Sequence, residues 1–123
     1  MKNVKEILII DDDSKNIFAL SAVLKAKKYS CVSALSAELG FKLLAENTNI
    51  GAVLMDMMMP EMDGYEAIKK MKAEENLKNI PVIANTAQAM TGDREKCLEA
   101  GADGYISKPV NVDELIKLLH ELM

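Results

Sequence analysis

The sequence has one histidine, His120, and two cysteines, Cys31 and Cys97, which form no CxxC pair. Structural and catalytic zinc sites are built from Cys and His clusters at short spacings, so none can be assembled from this set. Two unpaired cysteines fit a reducing cytoplasm. No apolar run approaches the roughly 20 residues of a membrane span. The first such run, Ile7 to Ile10, is too short for a signal-peptide core and leads straight into acids. The net charge is −4 and the Lys and Arg residues are scattered, which argues against a nucleic-acid-binding surface. EF-hand spacing, internal repeats, linkers and low-complexity segments are missing too.

What is present is one domain's worth of chain. Its 123 residues are half hydrophobic and 28% charged, the balance of a globular protein with a sizeable core, so residues 1–123 are expected to form one domain with no output module. Lys5 to Ile10 is a nearly continuous apolar run, as in a parallel strand buried on both faces. Ser14 is placed to cap a following helix with Ile17, Leu20 and Leu24 inward. A strand over Ser30 to Leu35 and a helix over Ser36 to Glu46 follow, the helix turning Leu39, Leu43 and Leu44 inward. Asn47 to Gly51 reads as a turn, Ala52 to Met55 as a third strand and Tyr65 to Glu74 as a third helix with Ala67, Ile68 and Met71 in the core. Ile80 to Asn85 is a fourth strand, entered through Pro81, and Thr91 to Ala100 a weaker helix closed by Gly101. Asp103 to Ser107 is a short fifth strand. The last helix starts at a capping-box pattern, Asn111 with Glu114, and has Val112, Leu115, Leu119 and Leu122 as its apolar face. Five alternations of strand and helix imply an α/β fold with a parallel sheet covered on both faces.

In such a sheet all strand carboxyl ends lie along one edge, where open α/β sheets bind their ligands. Strand one delivers Asp11 and Asp12 there, strand three Asp56, strand four Thr86 and strand five Lys108. One polar strand end is an ordinary cap, but four on one edge point to a site for phosphate or metal. Carboxylates about 4 Å apart repel by roughly 4 kcal/mol at an effective dielectric near 20, and Lys108 supplies only one compensating charge. A hard divalent ion completes the balance, and Mg²⁺ suits one or two carboxylates with retained waters and a phosphate oxygen. Asp11 and Asp12 are consecutive and so diverge, suiting one direct and one water-mediated contact to metal. Asp56 stands alone and is free to act as a nucleophile toward phosphorus. Thr86 offers a hydroxyl and Lys108 a point charge to phosphoryl oxygens, with Pro109 fixing the backbone behind Lys108.

Ile-Leu-Ile-Ile-Asp11-Asp12-Asp13, Asp56-Met-Met-Met-Pro-Glu-Met-Asp-Gly64, Thr86-Ala-Gln-Ala-Met90, Gly101-Ala-Asp-Gly-Tyr105 and Lys108-Pro109 together resemble the receiver domain of bacterial two-component response regulators. The resemblance covers the whole chain. It implies a flavodoxin-like (βα)5 fold with a central parallel sheet of order 2-1-3-4-5. It also implies a Mg²⁺-dependent phosphoaspartate at Asp56, supplied by a histidine kinase or a histidine phosphotransfer protein. Asp11 and Asp12 would hold the metal with the backbone carbonyl of Met58, and Thr86 and Tyr105 match the family's switch pair. Met58 and Gln88 match the positions beside the phosphoryl group that set its lifetime. Asn16 is similar to the residue found in receivers attached to hybrid histidine kinases. Asn85 departs from the apolar residue usual before the switch threonine.

The other features have plainer readings. Met55, Met57, Met58, Met59 and Met62 fit core and loop packing better than a soft-metal site. His120 reads as a solvated helix residue and Cys97 as a small packed one. Two other functional classes use related chemistry. A flavin-binding protein on this fold would show FMN absorbance, but three acids stand where its phosphate loop would follow strand one. A phosphatase acting through Asp56 would need a general acid two residues on, where Met58 stands.

Overall fold

The computed structural model of the protein describes residues 5–59, 62–86, 93–108 and 110–123. Strands and helices alternate as β1 (Glu6–Ile10), α1 (Ser14–Ala26), β2 (Ser30–Ala34), α2 (Ala37–Glu46), β3 (Ile50–Asp56), α3 (Gly64–Ala73), β4 (Val82–Thr86), α4 (Asp93–Ala100), β5 (Gly104–Ser107) and α5 (Val112–Leu122). The strands form one sheet in the order β2-β1-β3-β4-β5, and every pairing is parallel. This is the flavodoxin-like arrangement expected from the sequence.

Two apolar cores flank the sheet, and the strand alternation decides which residue joins which. Ile7, Ile9, Leu54 and Ile83 pack with Leu20 and Leu24 of α1 and Leu115 and Leu119 of α5. Leu8, Ile10, Val53, Met55 and Ala84 face the opposite way, onto Leu44 of α2, Ile68 and Met71 of α3 and Cys97 of α4. Each strand of this kind is sheathed on both sides, which is why β1, β3 and β4 read as unbroken apolar runs.

Several sequence expectations are corrected. Asp13, not Ser14, caps α1, accepting a 2.9 Å hydrogen bond from the Lys15 N–H; Asp13 has the extended backbone of a cap, whereas Ser14 is already the first helical residue. β3 begins at Ile50 rather than Ala52, because Ile50 is buried and pairs with Glu6 across a register shift in the β1 ladder. Leu39 is about half exposed, since Ala37, Gly40 and Leu44 form the inward stripe of α2 and Leu39 falls beside it. α4 is described from Asp93 onward, so Thr91 lies outside the described residues. Elsewhere the boundaries agree to within a residue or two. Gly101 takes the left-handed φ of +117° that a helix C-cap asks for, and the Glu114 N–H bonds the Asn111 side chain at 3.0 Å. His120 is exposed, and Cys97 is fully buried in the α2/α3/α4-side core.

Candidate functional site

Asp56 is the last residue of β3, two places beyond Leu54, so it continues the face that packs on α1 and α5. It is only 3% exposed. A local feature pins the strand end. A side chain at Gly64 would meet the Met57 Cα at 2.6 Å and the Asp56 carbonyl oxygen at 2.8 Å, so only glycine lets the start of α3 press against the residue that carries the carboxylate. The Gly64 N–H donates to the Met57 carbonyl at 3.3 Å, and the Asp63 side chain caps α3 by accepting from the Glu66 N–H at 2.9 Å. The Asp-Gly step of the sequence thus sets the floor of the site.

The three acids after β1 have three different positions. Asp11 is buried, Asp12 is exposed, and Asp13 is the α1 cap. The Asp13 N–H donates to Asp11 Oδ1 at 2.9 Å, while the buried Asp11 Oδ2 has no hydrogen-bond partner among the described residues. Carboxylate oxygens of Asp11, Asp12 and Asp56 all lie within 4.8 Å of one another. Lys108 reaches over from the end of β5. Its Nζ donates to Asp56 Oδ1 at 3.2 Å and stands 3.6 Å from Asp11 Oδ2. The Met58 N–H also donates to Asp56 Oδ1 at 3.2 Å. Burial pushes the Asp56 carboxyl up from 3.8 to about 6; the Met58 N–H draws it down, the Asp11 charge pushes it up, and Lys108 draws it down. One ammonium therefore faces two buried carboxylates and a third at their rim, a set of hard oxygens able to hold a divalent cation.

The remaining predicted residues fall on the other side of the sheet. Thr86 ends β4 and is 1% exposed. It lies two residues beyond Ala84, so it points toward α3 and α4 rather than along with Asp56. Tyr105 pairs with Ala84 in the β4–β5 ladder and packs at the margin of the same core. The backbone joins the two sides, since the Lys108 N–H donates to the Thr86 carbonyl at 2.7 Å and the Met57 N–H to the Asn85 carbonyl at 3.1 Å. The Met58 side chain is about half exposed, whereas Met55, Met57 and Met59 are buried, as the packing reading expected. Pro109 and Gln88 lie outside the described residues.

Sequence reasoning treated Asn85 only as a departure from a pattern, yet it belongs to the site. It is the in-register partner of Asp56 and is 3% exposed. Alternation gave half the signal, since Ile83 and Asn85 share a face; that this face meets Asp56 is set by the β3–β4 register.

The geometry so far defines a cluster of carboxylates around one ammonium at the carboxyl edge of a doubly wound sheet. A family model described as "Response regulator receiver domain" matches residues 7–120. The polar-differentiation response regulator DivK of Brucella abortus is 35% identical over 115 residues, covering 94% of this chain and 93% of DivK. The receiver domain of the sensor histidine kinase PA1611 from Pseudomonas aeruginosa, solved with a magnesium ion coordinated in its active-site cleft, is 35% identical with a TM-score of 0.85 and covers 97% of each chain. The chemotaxis protein CheY4 of Vibrio cholerae, at 22% identity, shares the fold with a TM-score of 0.88 over 98% of this chain and 99% of its own. The chain belongs to the response regulator receiver domain family. It is a phosphorylation-activated signalling receiver of two-component systems, whose members are phosphorylated by histidine kinases or histidine phosphotransfer proteins.

Proposed function

We propose that Asp56 is the phosphoacceptor of this receiver and that it works with Mg²⁺ held by Asp11, Asp12, Asp56 and the main-chain carbonyl of Met58. The observation that carries this reading is a buried carboxylate at a strand end that shares one ammonium with a second buried carboxylate. The donor set is all hard oxygen, and Asp11 Oδ2 is a buried acceptor still lacking a hydrogen-bond partner among the described residues, which suits Mg²⁺. When bound, the ion neutralises the carboxylates and the oxygens of the incoming phosphoryl group. Asp56 supplies the attacking oxygen, forming the O–P bond as the P–N bond of the donor's phosphohistidine breaks. Lys108 is a further partner of the phosphoryl oxygens, and the Thr86 hydroxyl becomes one when the phosphoryl group draws it inward.

The rest of the reading follows from placement. Thr86 and Tyr105 share the α3/α4 side, so a pull on Thr86 from the phosphoryl group is passed to that face and to its output partner, a two-state population shift. Met58, with no hydrogen-bond donor in its side chain, shields the phosphoryl group from water, and Gln88 contributes less. Residues 1–123 form one receiver domain, a reading supported by the match over residues 7–120. The domain acts as a phosphoacceptor and catalyses only its own phosphorylation and dephosphorylation. No helix among the described residues is long and apolar enough to cross a membrane, and neither Cys31 nor Cys97 is in a disulfide; these support a cytoplasmic protein that signals through protein partners, without direct nucleic-acid or membrane binding. Incubation with a small phosphodonor and Mg²⁺ should add one phosphoryl mass to the parent and none to Asp56→Asn. Equal uptake by both proteins would refute the assignment.

A further inference from the structure

Asn85 is buried at the end of β4 in a place where an apolar side chain would satisfy the core. Its backbone carbonyl is used by the Met57 N–H. Its side-chain Oδ1 is buried and has no hydrogen-bond partner among the described residues. Only one other buried side-chain oxygen there shares that condition, Asp11 Oδ2, and Asp56 lies on the strand between the two. A buried carboxamide oxygen left without a donor is unfavourable, so its presence calls for a donor that arrives in another state of the site.

Lys108 is a donor that faces the same space as Asn85. It lines the same pocket of about 250 Å³ as Asn85, a space between α1 and the end of β5 that Asn16 and Val110 also border. An ammonium has three N–H donors. That of Lys108 makes one hydrogen bond among the described residues, to Asp56, with Asp11 at the longer 3.6 Å. Its present seat lies against the same carboxylates that the Proposed function assigns to a divalent cation. Two cationic groups cannot share that seat without strong repulsion.

We propose that Asn85 is a positioning residue that acts through Lys108: its buried side-chain oxygen is the second seat of the Lys108 ammonium, taken when a divalent cation occupies Asp11, Asp12 and Asp56. The inference rests on the cation reading above and adds to it the residue that lets the lysine yield without leaving the site. An ammonium held at Asn85 stays beside Asp56, where a phosphoryl oxygen can meet it.

The test is a double-mutant cycle on Mg²⁺ affinity, read by calorimetric titration of the unphosphorylated chain with MgCl₂. Asn85→Leu removes the second seat with little change in volume and should weaken Mg²⁺ binding about 5- to 10-fold. In the Lys108→Met background no ammonium needs a seat, so adding Asn85→Leu should change affinity less than about 2-fold. Without metal, Asn85→Leu should unfold at the same temperature as the parent or higher, since an unpartnered polar group is lost; Asn85→Ala serves if leucine disturbs the packing. An equal loss in both backgrounds, or no loss in the first, would overturn the proposal. A parent that binds no Mg²⁺ at all would overturn the cation reading itself, and this inference with it, whereas normal binding with an indifferent Asn85 would overturn the inference alone.

Discussion

Two lysine–carboxylate clusters sit at opposite edges of the sheet, and they are built differently. At the amino edge, Lys72 Nζ donates to Asp103 Oδ2 at 2.8 Å and to the carbonyls of Lys78 and Ile80 at 3.2 Å each. Asp103 Oδ2 also accepts from the Val82 N–H at 2.9 Å. Three donors meet three acceptors, and the cluster ties the end of α3 to the starts of β4 and β5. At the carboxyl edge, the Lys108 ammonium has one hydrogen bond and faces two buried carboxylates, with two buried oxygens left unpartnered among the described residues. The first cluster is complete and holds the fold. The second is incomplete among the described residues, and in the function proposed above its remaining partners are a cation and a phosphoryl group. A satisfied polar cluster stabilises, and a partly satisfied one marks the place where the protein does its work.

The largest effect should come from relieving the incomplete cluster. Because the folded-state value of Asp56 is raised, from 3.8 to about 6, the folded protein holds that proton more tightly than the unfolded chain. Its contribution to stability is then fully present below about pH 4 and is lost as the pH rises toward 6. Asp56→Asn removes this loss. In metal-free buffer at pH 7 the variant should be more stable than the parent by up to about 3 kcal/mol, the advantage shrinking toward pH 4. Urea unfolding across that range checks the sign, and a parent that gains stability relative to the variant between pH 4 and pH 6 would break the comparison.

Removing each lysine should separate the clusters next. Lys108→Met leaves Asp11 and Asp56 buried without their counter-charge, at a cost of about 2 kcal/mol that Mg²⁺ restores. Lys72→Met costs about 1–2 kcal/mol, because the pair is partly exposed, and Mg²⁺ gives no extra rescue. Chemical denaturation with and without Mg²⁺ reads both; rescue of the Lys72 variant would blur the distinction. The smallest effect concerns duration. Met58→Asn adds an amide that can orient water and should shorten the phosphoaspartate lifetime a few-fold, with Gln88 substitutions changing it less. Decay of the phosphorylated protein after donor removal measures this, and unchanged decay in Met58→Asn would refute side-chain shielding at that position.

Much of this arrangement was legible in the sequence because it depends on local pattern. Apolar runs without alternation gave the parallel strands, and strand ends located Asp11, Asp56, Thr86 and Lys108 without any long-range information. What escaped was set by faces and contacts. That Asp56 and Thr86 diverge across the sheet, and that Asn85 shares the side of Asp56, follows from register, which depends on how strands pair. The Lys72–Asp103 anchor joins residues 31 positions apart and leaves no periodic trace. Asp13 replaced Ser14 as the α1 cap because both residue types suit that position, and only the geometry of the turn chooses between them. Leu39 was misplaced because α2 has more leucines than its inward stripe holds.

The central claim is that the carboxyl-edge cluster is left incomplete for a divalent cation to finish. The most direct test is the unfolding temperature at pH 7 with and without MgCl₂, in the parent and in Asp12→Ala, whose substituted side chain is exposed and outside the core. At a Mg²⁺ concentration near 100 times the dissociation constant the parent should gain about 2.7 kcal/mol, seen as a rise of several degrees. Asp12→Ala should fold normally, start slightly more stable without metal because one repelling charge is gone, and lose most of that rise. A parent whose unfolding temperature does not respond to Mg²⁺, or an Asp12→Ala protein that responds equally, would contradict the account.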